Sequence, residues 1–324
     1  MSNNEVLEQV PLELVPLELV PLDRGPIEQK KAAFVAVVGR PSAGKSTLVN
    51  SLCGAKVAIV SPVPQTTRNA IRGMVNRNEG QLVFVDTPGQ HLSERKLNKK
   101  LMDVAGRAVG EAELVLYVLD ASRHPGAEEE AIAGRLTASV GRMVVVINKM
   151  DKSGADEGSI REFLNANLPA LDASRIFPIS ALKNEGTDAV LQCLFAMAKP
   201  GEAFYPEEYY TDQDLNFRIA EIIREKAINR LREELPHSLY VDVADAELRD
   251  GDTKLWVRAF IVTERESQKG MVVGKGGAMI KAIREAAQKD LNRIFDWKVE
   301  LDLRVKTAGD WRHNDTTLRR LIDR

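Results

Sequence analysis

The chain has only two cysteines and four histidines among 324 residues, and both scarcities narrow its chemistry. Cys53 and Cys193 stand far apart inside apolar-periodic stretches, which predicts reduced core thiols and excludes a disulfide framework. His91, His124, His237 and His313 are isolated and make no metal-ligand spacing. No apolar run approaches the roughly 18 residues that a membrane helix needs. The acidic, proline-bearing N-terminus does not read as a secretory signal. A net charge of −2 excludes a global electrostatic pull toward nucleic acid or membrane. Peripheral membrane contact stays open.

What is present points to an ordinary globular protein. Apolar residues make up 44% and charged residues 28%, enough to bury a sizeable core, and the length suits two domains. Charge is unevenly spread. Residues 201–250 carry 6 Lys and Arg against 13 Asp and Glu, whereas residues 251–324 carry 16 against 11. The last block is thus locally basic, which suits a polyanion partner, although charged faces are more often just solvated. Residues 10–23 read VPLELVPLELVPLD. Proline at Pro11, Pro16 and Pro21 removes backbone donors and opposes a helix, so residues 1–30 are expected to form an extended, disordered arm.

From Lys31 onward short apolar runs alternate with helical patterns: FVAVVG (34–39), LVFVD (82–86), LVLYVLD (114–120), MVVVIN (143–148) and IFPIS (176–180). Runs this apolar suit strands buried on both faces. Helices are predicted to begin near Gly44, Glu94, Glu128, Ser159 and Thr187. The pattern is that of a doubly wound α/β domain over residues 31–200. A proline-bearing acidic linker follows at 201–215. Residues 216–324 read as a smaller α+β domain: an amphipathic helix over 217–234, strands at 238–244 and 255–263, a glycine loop, a helix over 278–295, the alternating strand WKVELDLRVK and a closing helix near 316–322.

The chemistry sits at strand ends. GRPSAGKST runs Gly39, Arg40, Pro41, Ser42, Ala43, Gly44, Lys45, Ser46, Thr47 and fits G-x-x-x-x-G-K-S between a strand and a helix. Backbone N–H groups there wrap phosphates, Lys45 reaches the β- and γ-phosphates, and the Ser46 hydroxyl can ligate Mg²⁺. DTPG (Asp86, Thr87, Pro88, Gly89) follows the next strand. Its aspartate suits the Mg²⁺ shell and the Gly89 N–H suits the γ-phosphate. NKMD (Asn148, Lys149, Met150, Asp151) supplies a carboxylate for the guanine N1 and N2 edge, supported by Asn148 and the Lys149 stem. A site built on that contact discriminates against adenine by roughly 10⁴ or more. Ser180 and Ala181 follow a further strand, where the Ala181 N–H is placed to meet guanine O6. Between the first two elements, VPQTTRN (63–69) reads as a segment able to close over the γ-phosphate, with Thr67 favoured over Thr66 as Mg²⁺ ligand. The joint pattern is a site for GTP or GDP with Mg²⁺, with Ser46, Thr67 and Asp86 as metal-shell residues. No arginine finger is identifiable from the sequence: Arg40 and Arg68 lie close by but equally suit surface charges. A second P-loop and a second NKMD are both lacking, which excludes a tandem GTPase layout.

These residues, with EIIREK (221–226), ELPHS (234–238), ERESQKGMVVGKGGAMIK (264–281) and DWRHN (310–314), resemble the Era family of bacterial GTPases from about Lys31 onward. The resemblance implies a Ras-like GTPase domain followed by a type II KH domain. It also implies binding to the 3′ end of small-subunit (16S) ribosomal RNA, assistance in small-subunit assembly, and a cytoplasmic monomer with room for a peripheral membrane-associated pool. Under it, Gly274, Lys275, Gly276 and Gly277 fit the GXXG turn that clamps the backbone of about four nucleotides, with Lys281 adding charge. A glycine turn that merely joins two elements is the plainer alternative. A GTPase serving membrane or cell-division partners, with the KH half as a docking module, is the other functional reading. Two departures stand out. The family's usual asparagine is Ser42 here, which leaves stimulation by K⁺ open. Gln90 directly follows DTPG, where Ras-like enzymes keep a water-orienting glutamine, so Gln90 either positions the attacking water or faces solvent. His91 is a weaker candidate.

Overall fold

The structure, a computed structural model, describes residues 29–63, 66–89, 96–312 and 314–322. Most of the N-terminal arm, Pro64, Gln65, Gln90, His91 and His313 lie outside the described residues.

Six strands form the first sheet: β1 (Lys31–Val38), β2 (Ile71–Arg77), β3 (Gly80–Asp86), β4 (Leu114–Asp120), β5 (Met143–Asn148) and β6 (Ile176–Pro178). Their order is β2-β3-β1-β4-β5-β6. All neighbours are parallel except β2, which runs antiparallel to β3. Five helices belong to this half: α1 (Lys45–Cys53), α2 (Lys96–Glu111), α3 (Ala127–Leu136), α4 (Glu157–Asn167) and α5 (Thr187–Met197). Every residue of β4 and β5 is buried because helices cover both faces. Strand alternation divides the side chains. Val35, Val37, Leu116, Val118, Val144 and Val146 pack with Leu48 of α1 and Leu191 of α5, whereas Val115, Tyr117, Leu119, Val145 and Ile147 pack with Ile132 of α3 and Ile160 of α4. This topology reverses direction at β1, and the loops leaving the carboxyl ends of β1, β3, β4, β5 and β6 gather along one edge.

The strand β2 departs from the sequence expectation, which assigns no strand there. Arg72, Asn76 and Arg77 interrupt its apolar character, as the edge strand of the sheet permits.

The second half contains α6 (Leu215–Ile228), β7 (Leu239–Arg249), β8 (Lys254–Thr263), α7 (Glu266–Val273), α8 (Ala278–Ile294), β9 (Lys298–Thr307) and α9 (Asp315–Ile322). Its sheet has the order β7-β8-β9, antiparallel then parallel, and the parallel crossover carries α7 and α8. Ile219, Ile223, Val257, Ile261, Ile283, Leu291 and Val299 share one core. Strand β7 runs on to Arg249, past the expected 244, and two helices also differ from expectation. Helix α6 ends at Ile228, not near 234, and the chain then turns irregularly, with Glu233 at φ 56°, into a short 3₁₀ turn that contains Pro236. The apolar period continues beyond the helix because Leu231 and Leu235 still pack into that core. Helix α7, unassigned from sequence, is one eight-residue segment bearing Gly270, too short for a clear period. Among the described residues no helix is long and apolar enough to cross a membrane.

Candidate nucleotide-binding site

The loop between β1 and α1 is shaped by what little space it has. Gly44 adopts φ 96°, and a Cβ there would lie 2.3 Å from Asn148 Nδ2. Only glycine fits both the conformation and the approach of the NKMD loop. Asn148 uses that proximity, donating from Nδ2 to the Ala43 carbonyl at 3.0 Å. Lys45 is buried and its Nζ donates to the Gly39 and Arg40 carbonyls at 3.0 and 2.9 Å. Burial holds its ammonium down at about 8, Asp86 opposing and Arg40 assisting.

Three oxygens converge beside it. Ser46 Oγ donates to Asp86 Oδ2 at 2.6 Å and lies 2.9 Å from Thr67 Oγ1, which stands 3.5 Å from the same carboxylate oxygen. Thr66 turns away, its hydroxyl donating to the Val63 carbonyl at 2.6 Å. Asp86 is fully buried, and burial pushes its carboxyl up to about 6 against the pull of Lys45, Ser46 and Thr67. Its Oδ1 is buried without a hydrogen-bond partner. A buried orphan carboxylate oxygen next to two hydroxyls is a hard-oxygen donor set, and it fits Mg²⁺. Because the cation needs the ionised carboxylate, apparent Mg²⁺ affinity is expected to fall roughly tenfold per unit as pH drops below about 6 and to level off above 7. Titrating Mg²⁺-dependent retention of GDP across that range checks this. Asp86→Asn should abolish the pH dependence together with most of the Mg²⁺ effect.

The rest of DTPG is fixed from behind. Thr87 Oγ1 donates to the Val37 carbonyl at 2.7 Å, and Gly89 packs so closely on Pro41 that a Cβ would come within 2.6 Å of its Cα. In NKMD, Ser180 Oγ donates to Asp151 Oδ1 at 2.6 Å, which orients this carboxylate and holds it below the usual range. The Met150 N–H bonds to the Ile179 carbonyl, anchoring the turn to the loop after β6. The Ala181 N–H, expected from sequence to face guanine O6, here donates to Asn148 Oδ1 at 3.0 Å.

Two arginines differ from expectation. Neither Arg40 nor Arg68 is a surface charge or a free finger, since both are buried. The Arg40 guanidinium turns from the loop to Asp120 (Nη2–Oδ2 3.0 Å) and Glu129 (Nε–Oε1 2.7 Å). Arg68 donates to the Leu239 carbonyl at 2.9 Å and lies 5.6 Å over the Trp311 ring. Asp120 and Glu129 were not singled out from sequence. The signal available was an aspartate closing the apolar strand LVLYVLD, the position Asp86 holds on β3.

In the second half, Gly274 to Gly277 join α7 to α8. Gly274 adopts φ 73° and a Cβ would meet Met279 Cβ at 2.7 Å, so the sharp turn depends on glycine. Gly276 and Gly277 also have positive φ, Lys275 and Lys281 are exposed, and α8 begins immediately after the loop. Helix–GXXG–helix against a three-stranded sheet is KH geometry.

A mostly parallel sheet that presents a phosphate cradle, an oxygen cluster suited to a cation and the NKMD loop along one edge defines a Ras-like GTPase, here joined to a KH domain. The family model described as 50S ribosome-binding GTPase matches residues 34–149, and one described as KH domain matches residues 234–312. The chain belongs to the GTPase Era family. It is 49% identical over 287 residues to GTPase Era of Treponema denticola, covering 89% of this chain and 98% of that one. It is 45% identical over 293 residues to GTPase Era of Borreliella burgdorferi, covering 90% and 100%. Its fold matches a crystal structure of Era in complex with MgGDPNP and nucleotides 1506–1542 of 16S ribosomal RNA, with TM-score 0.84, 35% identity and coverage of 90% and 98%. An Aquifex aeolicus Era variant bound to GDP·AlF₄⁻ gives TM-score 0.84 at 34% identity, with the same coverage.

Proposed function

We propose that this chain is a GTP-hydrolysing switch whose KH half engages the 3′ region of small-subunit ribosomal RNA and assists assembly of the small ribosomal subunit. It acts as a cytoplasmic monomer. The peripheral membrane contact left open by the sequence is not part of this proposal. Residues 31–200 form the GTPase domain, 201–215 the linker and 216–324 the KH domain. Support for the RNA target comes from the Era structure that holds 16S nucleotides 1506–1542, together with the GXXG turn present here.

In hydrolysis Lys45 neutralises charge on the transferring phosphoryl group while water attacks in line. Ser46, Thr67 and Asp86 hold Mg²⁺, which supplies electrostatic stabilisation to the phosphate oxygens. Gln90 is proposed to orient the water.

One observation carries the switch reading. Lys56, Val60 and Thr66, all ahead of Thr67, are held by two consecutive buried residues of α6. Glu225 accepts from the Val60 N–H at 2.9 Å and from Lys56 Nζ at 2.5 Å, while Arg224 Nη2 donates to the Thr66 carbonyl at 2.6 Å. A change at Thr67 is thus felt by the KH half through neighbouring backbone groups. RNA affinity, measured at fixed salt on the full chain, is expected to differ about fivefold or more between the GDP and GTP-analogue states. Arg224→Ala should reduce that ratio to within about twofold. Equal affinities in the two states of the wild type would remove the coupling.

A further inference from the structure

We infer that Asp120 is a positioning residue for guanine-nucleotide binding, tying the phosphate loop to the base-recognition loop through Lys149. It lies outside the phosphate-loop, DTPG and NKMD motifs and the Ser180–Ala181 turn, at the carboxyl end of β4 between the strands that launch the phosphate loop and NKMD. It is 4% exposed, and a single oxygen serves both loops. Asp120 Oδ2 accepts from Lys149 Nζ at 2.7 Å and from Arg40 Nη2 at 3.0 Å. The other oxygen accepts from the Ser122 N–H at 3.0 Å and its hydroxyl at 2.6 Å, so the carboxylate cannot swing away without losing four donors. Burial alone would raise its pKa, but the bonds from Lys149 and Ser122 outweigh this and keep it ionised.

Lys149 needs such support. It adopts φ 70°, a conformation that lysine rarely holds. Its N–H is fixed by Asn148 Oδ1 at 2.8 Å, and its ammonium reaches across to the Ser42 carbonyl at 2.7 Å. Asp120 supplies the counter-charge that keeps this ammonium on the phosphate loop. It thereby keeps the lysine stem in the place where the sequence puts it, against the guanine. Arg40 is secured differently, because Glu129 holds it from a second side while also capping α3 through the Gly126 N–H. Removing the Asp120 charge should therefore loosen Lys149 more than Arg40.

This rests on the guanine-nucleotide reading of the site, so GDP and GTP binding to the wild type is measured first. A failure there sinks that reading, not the Asp120 link. Rates of GDP and GTP-analogue dissociation are then followed in the full chain by stopped-flow fluorescence. Asp120→Asn is expected to raise both off-rates at least tenfold, with single-turnover hydrolysis at saturating GTP within about twofold of wild type. In a Lys149→Ala background the same change should add less than about twofold, because the partner it acts through is already gone. If Asp120→Asn does not fold, Asp120→Glu carries the test, with off-rates about threefold up in the wild-type background and unchanged without Lys149. Unchanged off-rates, or an effect of equal size with and without Lys149, would overturn the inference.

Discussion

Asp151→Ala is expected to weaken GTP binding by roughly 10³-fold while leaving ATP binding nearly unchanged, so that discrimination between the purines collapses. The reason lies in the geometry. Ser180 fixes one carboxylate oxygen at 2.6 Å and holds the group below the ordinary carboxylate range, so it is anionic throughout the physiological range. An anion that accepts two hydrogens from the guanine edge makes two charge-assisted bonds, each worth about 1.5–3 kcal/mol. Adenine presents no such pair, and wild-type Asp151 would face it unmatched. Titration calorimetry with GTP, GDP and ATP on both proteins reads the effect. If ATP fills the wild-type pocket as tightly as GTP, the guanine assignment fails.

Lys45→Ala is expected to reduce single-turnover hydrolysis by about 10²- to 10³-fold even when the site is saturated, because its charge matters most as negative charge builds on the phosphoryl group. Proton linkage gives a second signature. The free-protein ammonium sits at about 8 because burial disfavours its charge. Phosphates return the missing counter-charge and raise it, so binding GTP near pH 8.5 should draw a proton from solution. Repeating the calorimetry in buffers of different ionisation enthalpy measures that uptake, and Lys45→Ala should lose it. Lys45→Arg is not expected to rescue turnover. The ammonium is wedged between the Gly39 and Arg40 carbonyls, and a planar guanidinium does not fit that pinch.

Most of the first domain was legible along the chain. Buried parallel strands demand unbroken apolar runs, and β1, β3, β4 and β5, together with the more exposed edge strand β6, lie on or overlap the five apolar runs of the sequence. The residues of the phosphate loop, DTPG and NKMD are close neighbours in sequence, so their spacing already carries their chemistry. Legibility failed where polar residues break such a run, as Arg72, Asn76 and Arg77 do in β2, or where an element is too short for a period to show, as in α7. It also failed for Arg40 and Arg68. A charged residue is ordinarily exposed, and only the carboxylates and carbonyls that surround these two reveal why they are buried.

The sequence by itself determined the parallel strands of the first sheet, the identity of the nucleotide and the glycines at the two sharp loops, since each depends on residues within one short segment. Tertiary structure alone decided who holds those segments in place. Asp120 meets Lys149 only because β4 and β5 lie side by side, and Arg224 reaches the Thr66 carbonyl across 158 positions only because α6 docks on the GTPase half. A buried ion needs a partner wherever the packing brings one, and a one-dimensional pattern does not contain that choice.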